Sequence, residues 1–164
     1  MPVGVNIALL VVGSCAFYTY VGQLVPQKEV LPPAEVKISK DITTEEMVKI
    51  GHEIAQGKGL CLTCHTIGKT GSLRFPDLSG ISSRAATRVP GEDQIEYMAH
   101  SLYHPDEFIV PGFNPGMPQI SKPPIGLNDQ EILCVIAWLQ SLGGEPTVTL
   151  QTRHMHSPPE GATP

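Results

Sequence analysis

The segment GKGLCLTCHTIGK, residues 57–69, brings two thiols and an imidazole close together: Cys61, Cys64 and His65. Three chemistries use such a cluster. A thioredoxin-type dithiol needs a strand ahead of its cysteine pair and alternating strands and helices around it, and the flanking sequence has neither. A structural zinc site needs about four ligands. The remaining cysteines, Cys15 and Cys134, both fall in stretches patterned as helices, the first of them without a charged residue. Covalent haem attachment needs only what is present: two thiols spaced to form thioethers with two vinyl groups, and a histidine directly beneath the iron. The expectation is haem c on Cys61 and Cys64 with His65 as an iron ligand, and a single haem, because the motif occurs once.

A second axial ligand has several candidates: Met98, Met117 and Met155, with His100, His104, His154 and His156. Met117 lies in PGFNPGMPQISKPP, where prolines and glycines prevent helix or strand and can hold one side chain inward. Met98, His100 and His104 fall on a helical stretch, where a methionine is ordinarily core filler and a histidine solvated or hydrogen-bonded. Met117 is favoured, since a thioether binds soft iron without a proton equilibrium and, paired with His, raises the reduction potential. Two protein ligands leave no open position for substrate, so electron transfer is expected rather than chemistry on a bound molecule. The adjacent His154, Met155 and His156 have the composition of a copper site but no visible scaffold.

These groups have to be held by a small domain. The chain has 164 residues, 41% hydrophobic and 16% charged, enough for one domain plus appendages. Residues 1–25 read as a transmembrane anchor, because the run from Val3 to Val25 carries no charge and about 20 apolar residues span a bilayer core. A cleaved signal and a lipoprotein signal ending at an acylated Cys15 are the competitors. Against both, the apolar run continues past Cys15 through Phe17, Tyr18, Tyr20 and Val21, and no basic residue precedes it. Residues 26–42, with three prolines and six charges, read as an extended tether reaching on the order of 55 Å.

The haem domain is placed at residues 43–144 and reads as all-α. Thr43 with Glu46 forms a capping-box pattern ahead of Met47, Ile50, Ile54 and Ala55, in a helix ending near Gly57. Asn128 with Glu131 opens a second helix, whose stripe of Ile132, Val135, Ile136 and Leu139 runs to a stop at Gly143 and Gly144. Glu92, Asp93 and Glu96 suit the first turn of a shorter middle helix that Pro105 ends. Three short helices joined by long loops do not fill a core alone, which points to an apolar cofactor at the centre. Cys134 is expected to be an inert buried thiol. Residues 145–164, a polar stretch with four prolines, read as a tail without a core of its own, disordered or laid along a partner subunit.

From Glu45 to Gly144 the chain resembles the class I c-type cytochromes. The resemblance rests on the opening around Ile50, Gly51, His52 and Glu53, on CLTCH, on MAHSLYHPDEFIVPGFNPGMPQI, and on the closing LNDQEILCVIAWLQSLGG. It implies the cytochrome c fold, three main helices with long loops around one covalent haem. Cys61 and Cys64 would hold that haem, with His65 proximal and Met117 distal. It also implies that the first and last helices cross where Gly51 meets Trp138, a sensible pairing because only glycine allows so close an approach. The family often has Gly-Pro-x-Leu after the motif, with the proline carbonyl accepting a hydrogen bond from the proximal histidine. Here the segment is Phe75-Pro76-Asp77-Leu78, so Pro76 can supply that carbonyl, while Phe75 in place of glycine puts the turn in question.

The domain's charges fall into two blocks. Lys58, Lys69, Arg74, Arg84 and Arg88 face Asp77 alone between residues 58 and 88, and seven acids face Lys122 between residues 89 and 131. Either the two faces meet different redox partners, or some arginines, Arg74 above all, neutralise haem propionates. An anchor, a tether and a monohaem domain are similar to the cytochrome subunit of respiratory or photosynthetic membrane complexes, such as alternative complex III, a quinol-oxidising assembly. The expected partners are subunits of such a complex, donor and acceptor proteins and membrane lipid. No nucleic-acid partner is expected. One alternative is a free-standing tethered carrier; another is a haem enzyme or gas sensor with a labile Met117. In the resembled family haem c is attached outside the energy-conserving membrane, which puts the domain on the periplasmic side.

Overall fold

The computed structural model describes residues 2–26, 38–39 and 41–157, and the chain divides into two units between residues 34 and 35. Most of the expected tether lies outside the described residues. The first unit is one helix, α1 (Val3–Leu24), with no charged residue and no buried side chain. Its 22 residues make a rod of about 33 Å, long enough to cross a membrane. The only hydroxyl on its smaller polar side chains to bond back does so locally, from Ser14 Oγ to the Leu10 carbonyl at 2.8 Å, as such groups do where the surroundings offer no better acceptor. Length and composition of this kind suit an anchor and a secretion signal alike.

Among its described residues the second unit contains five helices and no strand. Both capping boxes form. Thr43 accepts from the Glu46 amide and opens α2 (Thr44–Gln56), and Asn128 accepts from the Glu131 amide and opens α6 (Asp129–Ser141). Each reciprocal pair satisfies two amides that the first turn leaves without a partner. The middle helix is α5 (Gln94–Tyr103), capped by Asp93 and ending before Pro105. Two short helices that periodicity does not reveal also form, α3 (Cys61–Cys64) and α4 (Ile81–Ala85). Both start from a residue in the left-handed region with no side-chain cap, which removes the usual signal of a helix start.

The core lies where α2 crosses α6. Gly51 is buried, and a Cβ built on it would collide with the Cys134 carbonyl and come within 2.9 Å of Trp138 Cβ. Met47, Ile54, Ile132 and Ile136 close around the crossing, each at 2% exposure or less, and each such burial contributes about 1.5–3 kcal/mol. Ile38 and Ile42, at the domain end of the expected tether, also pack on this core. The hydroxyl of Tyr103 at the end of α5 donates to Asp129 Oδ1 in the first turn of α6, at 2.5 Å.

Residues 145–157, expected to be disordered or laid along a partner subunit, fold back over the domain. Val148 is fully buried, its carbonyl accepts from Thr44 Oγ1 at 3.3 Å, and its amide donates to Gln140 Oε1 at 3.2 Å. Gln140, itself fully buried, uses its whole side-chain amide: Oε1 accepts from Thr147 and Val148, and Nε2 donates to Gln94 Oε1 and Thr147 Oγ1. The sequence hides this because one valine in a polar stretch shows no periodicity, and its binding partner is a glutamine on a helix otherwise read as apolar. Residues 158–164 lie outside the described residues.

The crossing makes a quantitative prediction. Gly51→Ala should destabilise the domain by about 1–3 kcal/mol, the range for overpacking that forces backbone shifts. A lowered urea midpoint at unchanged m-value is the expected result, and an unchanged midpoint would show that the helices separate at no cost.

Candidate haem site

The thiol-bearing turn is fixed at both ends. After α2, the Gly59 amide returns to the Ile54 carbonyl at 2.7 Å, and Leu60 takes a left-handed conformation (φ 55°) that reverses the chain into α3. That single turn carries Cys61 and Cys64 and ends with the His65 amide on the Cys61 carbonyl at 2.9 Å. Ahead of it, Lys58 Nζ sits between both carboxylate oxygens of Glu131, at 2.9 and 2.8 Å. Glu131 is only 2% exposed, and a carboxylate so buried is tolerable only because Lys58 and the Asn128 amide share its charge. The pair ties the turn to the start of α6.

His65 has its orientation set by the segment that follows. Its Nδ1 donates to the Pro76 carbonyl at 2.8 Å. A carbonyl can only accept, so Nδ1 holds the proton and Nε2 keeps a free lone pair. Phe75, in the place where the resembled pattern has glycine, needs no glycine: Leu60 is the one non-glycine residue with positive φ among the described residues. Asp77 closes the loop. Its carboxylate accepts from Thr66 Oγ1 (2.7 Å) and from the amides of Gly68, Lys69 and Ser79 (3.0, 2.9 and 2.8 Å). The Thr66 hydroxyl first, and then those amides, hold its carboxyl well below the usual range.

Cys61, Cys64, His65, Pro76 and Met117 all line one cavity of about 290 Å³. The rest of its wall is largely apolar, drawn from α5 and from the loop at 105–118, with Ile120, Ile125, Val135 and Leu139. Met98 lines it too and is 1% exposed. Arg74 lies over the Phe75 ring, 5.5 Å from its centre, and the arginine that lines the cavity is Arg88. The other candidate ligands are elsewhere: His100, His104, His154 and His156 form a separate cluster on the outer side of α5, and Met155 is exposed.

The donor set decides between the three chemistries. Both motif thiols are free, and burial pushes Cys61 up to about 11, the opposite of the acidic thiol a reactive dithiol needs. Cys134 is buried in α6 and pushed up to about 12, first by burial and then by Glu131. Among the described residues no group of three His, Cys, Asp or Glu side chains is arranged to hold a metal ion, as a protein-only zinc site would require. Two thiols, an imidazole held through Nδ1 and thioether sulfurs facing a largely apolar cavity suit haem.

A cytochrome c family model matches residues 48–143. The chain belongs to the cytochrome c family. No curated protein matches it. Members of this family are electron-transfer proteins with covalently bound haem c, and redox proteins are their partners. All the residues that line the cavity fall within the matched stretch.

Residue type alone misses three parts of the site. Arg88 is one basic residue among several, the Lys58–Glu131 pair spans 73 positions, and Asp77 stands out only as the lone acid of a basic stretch. The two charge blocks are also partly joined within the domain. Lys58 pairs with Glu131, and Arg84 spends its guanidinium on the carbonyls of Asp77 and Ser79.

Asp77 gives a prediction with a definite sign. Its carboxyl is depressed in the folded state, so its support of the loop is complete above the unfolded value of about 3.9 and is lost as pH falls below that. Asp77→Asn should therefore speed amide exchange at Gly68, Lys69 and Ser79 at neutral pH, and should flatten the acid response of those amides. Exchange indistinguishable from the parent protein would remove Asp77 from this role.

Proposed function

We propose that this cytochrome c domain is a monohaem electron relay, its haem held by thioethers to Cys61 and Cys64 and its iron by His65 Nε2 and Met117. The observation that carries this reading is that all four side chains line one apolar cavity while His65 Nδ1 is already committed to Pro76. When bound, haem supplies a reversible one-electron couple. The chain's own groups do the rest. Pro76 fixes the imidazole ring and its tautomer, and Met117 offers a neutral thioether. The apolar wall keeps water out and disfavours the more highly charged ferric state, which raises the potential. Arg88 is better placed than Arg74 to neutralise a propionate at the cavity.

The reading extends to the host. α1 would anchor the domain on the extracytoplasmic side as one subunit of a quinol-oxidising membrane complex of the alternative complex III kind, passing electrons to a later acceptor. What supports it is the resemblance of the whole arrangement, anchor followed by a single haem domain.

Two experiments test these levels separately. Visible spectra of the oxidised and reduced protein should show one haem c per chain and the weak near-infrared band of Met-ligated ferric iron. Met117→Leu should abolish that band and open the ferrous protein to carbon monoxide, while Met98→Leu should keep it. The reverse pattern would make Met98 the ligand, and tight carbon monoxide binding by the unaltered protein would favour a gas sensor or enzyme. Native electrophoresis of the detergent-extracted protein should find the haem in a large complex. A small particle with the same spectrum would mean a free-standing tethered carrier.

A further inference from the structure

The histidines that do not face the haem cavity are gathered at one place, where the folded-back segment meets α5. His154 is 8% exposed and packs on Tyr103, with ring centres 5.5 Å apart. His156 sits over His100 and His104, at 5.2 and 4.9 Å. Between them the Met155 amide donates to both carboxylate oxygens of Glu96, at 3.1 and 3.0 Å. His154 Nδ1, His156 Nε2 and Glu92 Oε2 are buried, with no hydrogen-bond partner among the described residues. A neutral imidazole tolerates this, because one of its nitrogens carries no proton. A protonated one would bury an N–H and a charge with nothing to accept it.

The segment is therefore held by two devices of different chemistry. At Thr147 and Val148 it is clipped by the Gln140 amide, which does not titrate. At residues 154–156 it is held by groups that do. We propose that residues 149–157 form a proton-released strap on α5, docked when His154 and His156 are neutral and set free when they are protonated, while the Gln140 clip stays closed.

The surrounding charges set the sign. Facing His154 are Glu96 and Tyr103 from α5, Asp129 from α6, and Arg153 and His156 from the strap. Facing His156 are His100 and His104, with Glu92, Glu96 and Tyr103. Glu92 and Glu107 are already engaged by His100, at 2.7 and 3.2 Å. Burial first, and for His156 then His104 and His100, holds both strap histidines below the ordinary imidazole value of 6.5. The free strap thus binds more protons than the docked one. Docking is at full strength above 6.5 and weakens as pH falls below it. At pH 5.5, one unit lower, the loss is up to about tenfold for each histidine. The strap does not depend on which methionine ligates the iron, although α5 also supplies Tyr97, Met98 and Leu102 to the haem cavity.

Hydrogen exchange of the full-length, haem-loaded protein in detergent tests this, with rates corrected for their intrinsic pH dependence. Between pH 7.5 and 5.5 protection of the Met155 amide should fall by up to about a hundredfold, two histidines at tenfold each, while that of Val148 stays constant. A double variant, His154→Gln with His156→Gln, should abolish the response, and His156→Gln alone should leave about half of it on a logarithmic scale. Equal loss at Val148 and Met155, or no loss at Met155, would overturn the strap. So would a single variant with the parent's full response. Loss of protection at pH 7.5 on adding EDTA would instead assign the histidines to a bound metal and overturn it as well.

Discussion

The close approach of α2 and α6 at Gly51 is the contact on which the rest of the domain depends. With no side chain at 51, the α2 backbone lies against the Cys134 carbonyl and Trp138. That approach brings the start of α6 near the end of α2, where Glu131 can take hold of Lys58. Lys58 stands three residues ahead of Cys61, so the position of the Cys61–Cys64 turn follows from a helix crossing. A larger residue at 51 would disturb that turn at a distance, through backbone and not through any side chain that lines the cavity.

The site itself divides its labour between rigid and adjustable parts. The motif turn, the Pro76 carbonyl and the Asp77 carboxylate form a closed set of hydrogen bonds around His65 and the loop behind it. The opposing candidate ligand comes from a different kind of element, a loop punctuated by Pro115, Gly116 and Pro118. Apolar side chains from α5 and α6 complete the wall, so the same buried surface that holds the helices together also excludes water from the cavity.

Charge plays a smaller external part than the residue count implies. Lys58 and Arg84, two of the five basic residues of the motif segment, have internal partners, and Arg74 rests on Phe75. A redox partner would meet fewer free cations than the sequence displays. On the other side of α5, charge and titratable rings are concentrated at the folded-back segment, where burial holds His154 and His156 below the ordinary imidazole value.

Much of this was legible in the residues alone: the CLTCH motif, both capping boxes and the apolar run of α1. Each is a local signal, set by neighbours within a few positions, where side-chain spacing and backbone preference act directly. The structure then brought together what sequence separates. The union of Cys61, Cys64, His65 and Met117 at one cavity, the choice of Arg88 over Arg74 to line it, the Lys58–Glu131 tie and the docking of residues 145–157 all join positions far apart in the chain. A single valine or glutamine says nothing of its distant partner, because the energy of such a contact exists only once the helices have packed.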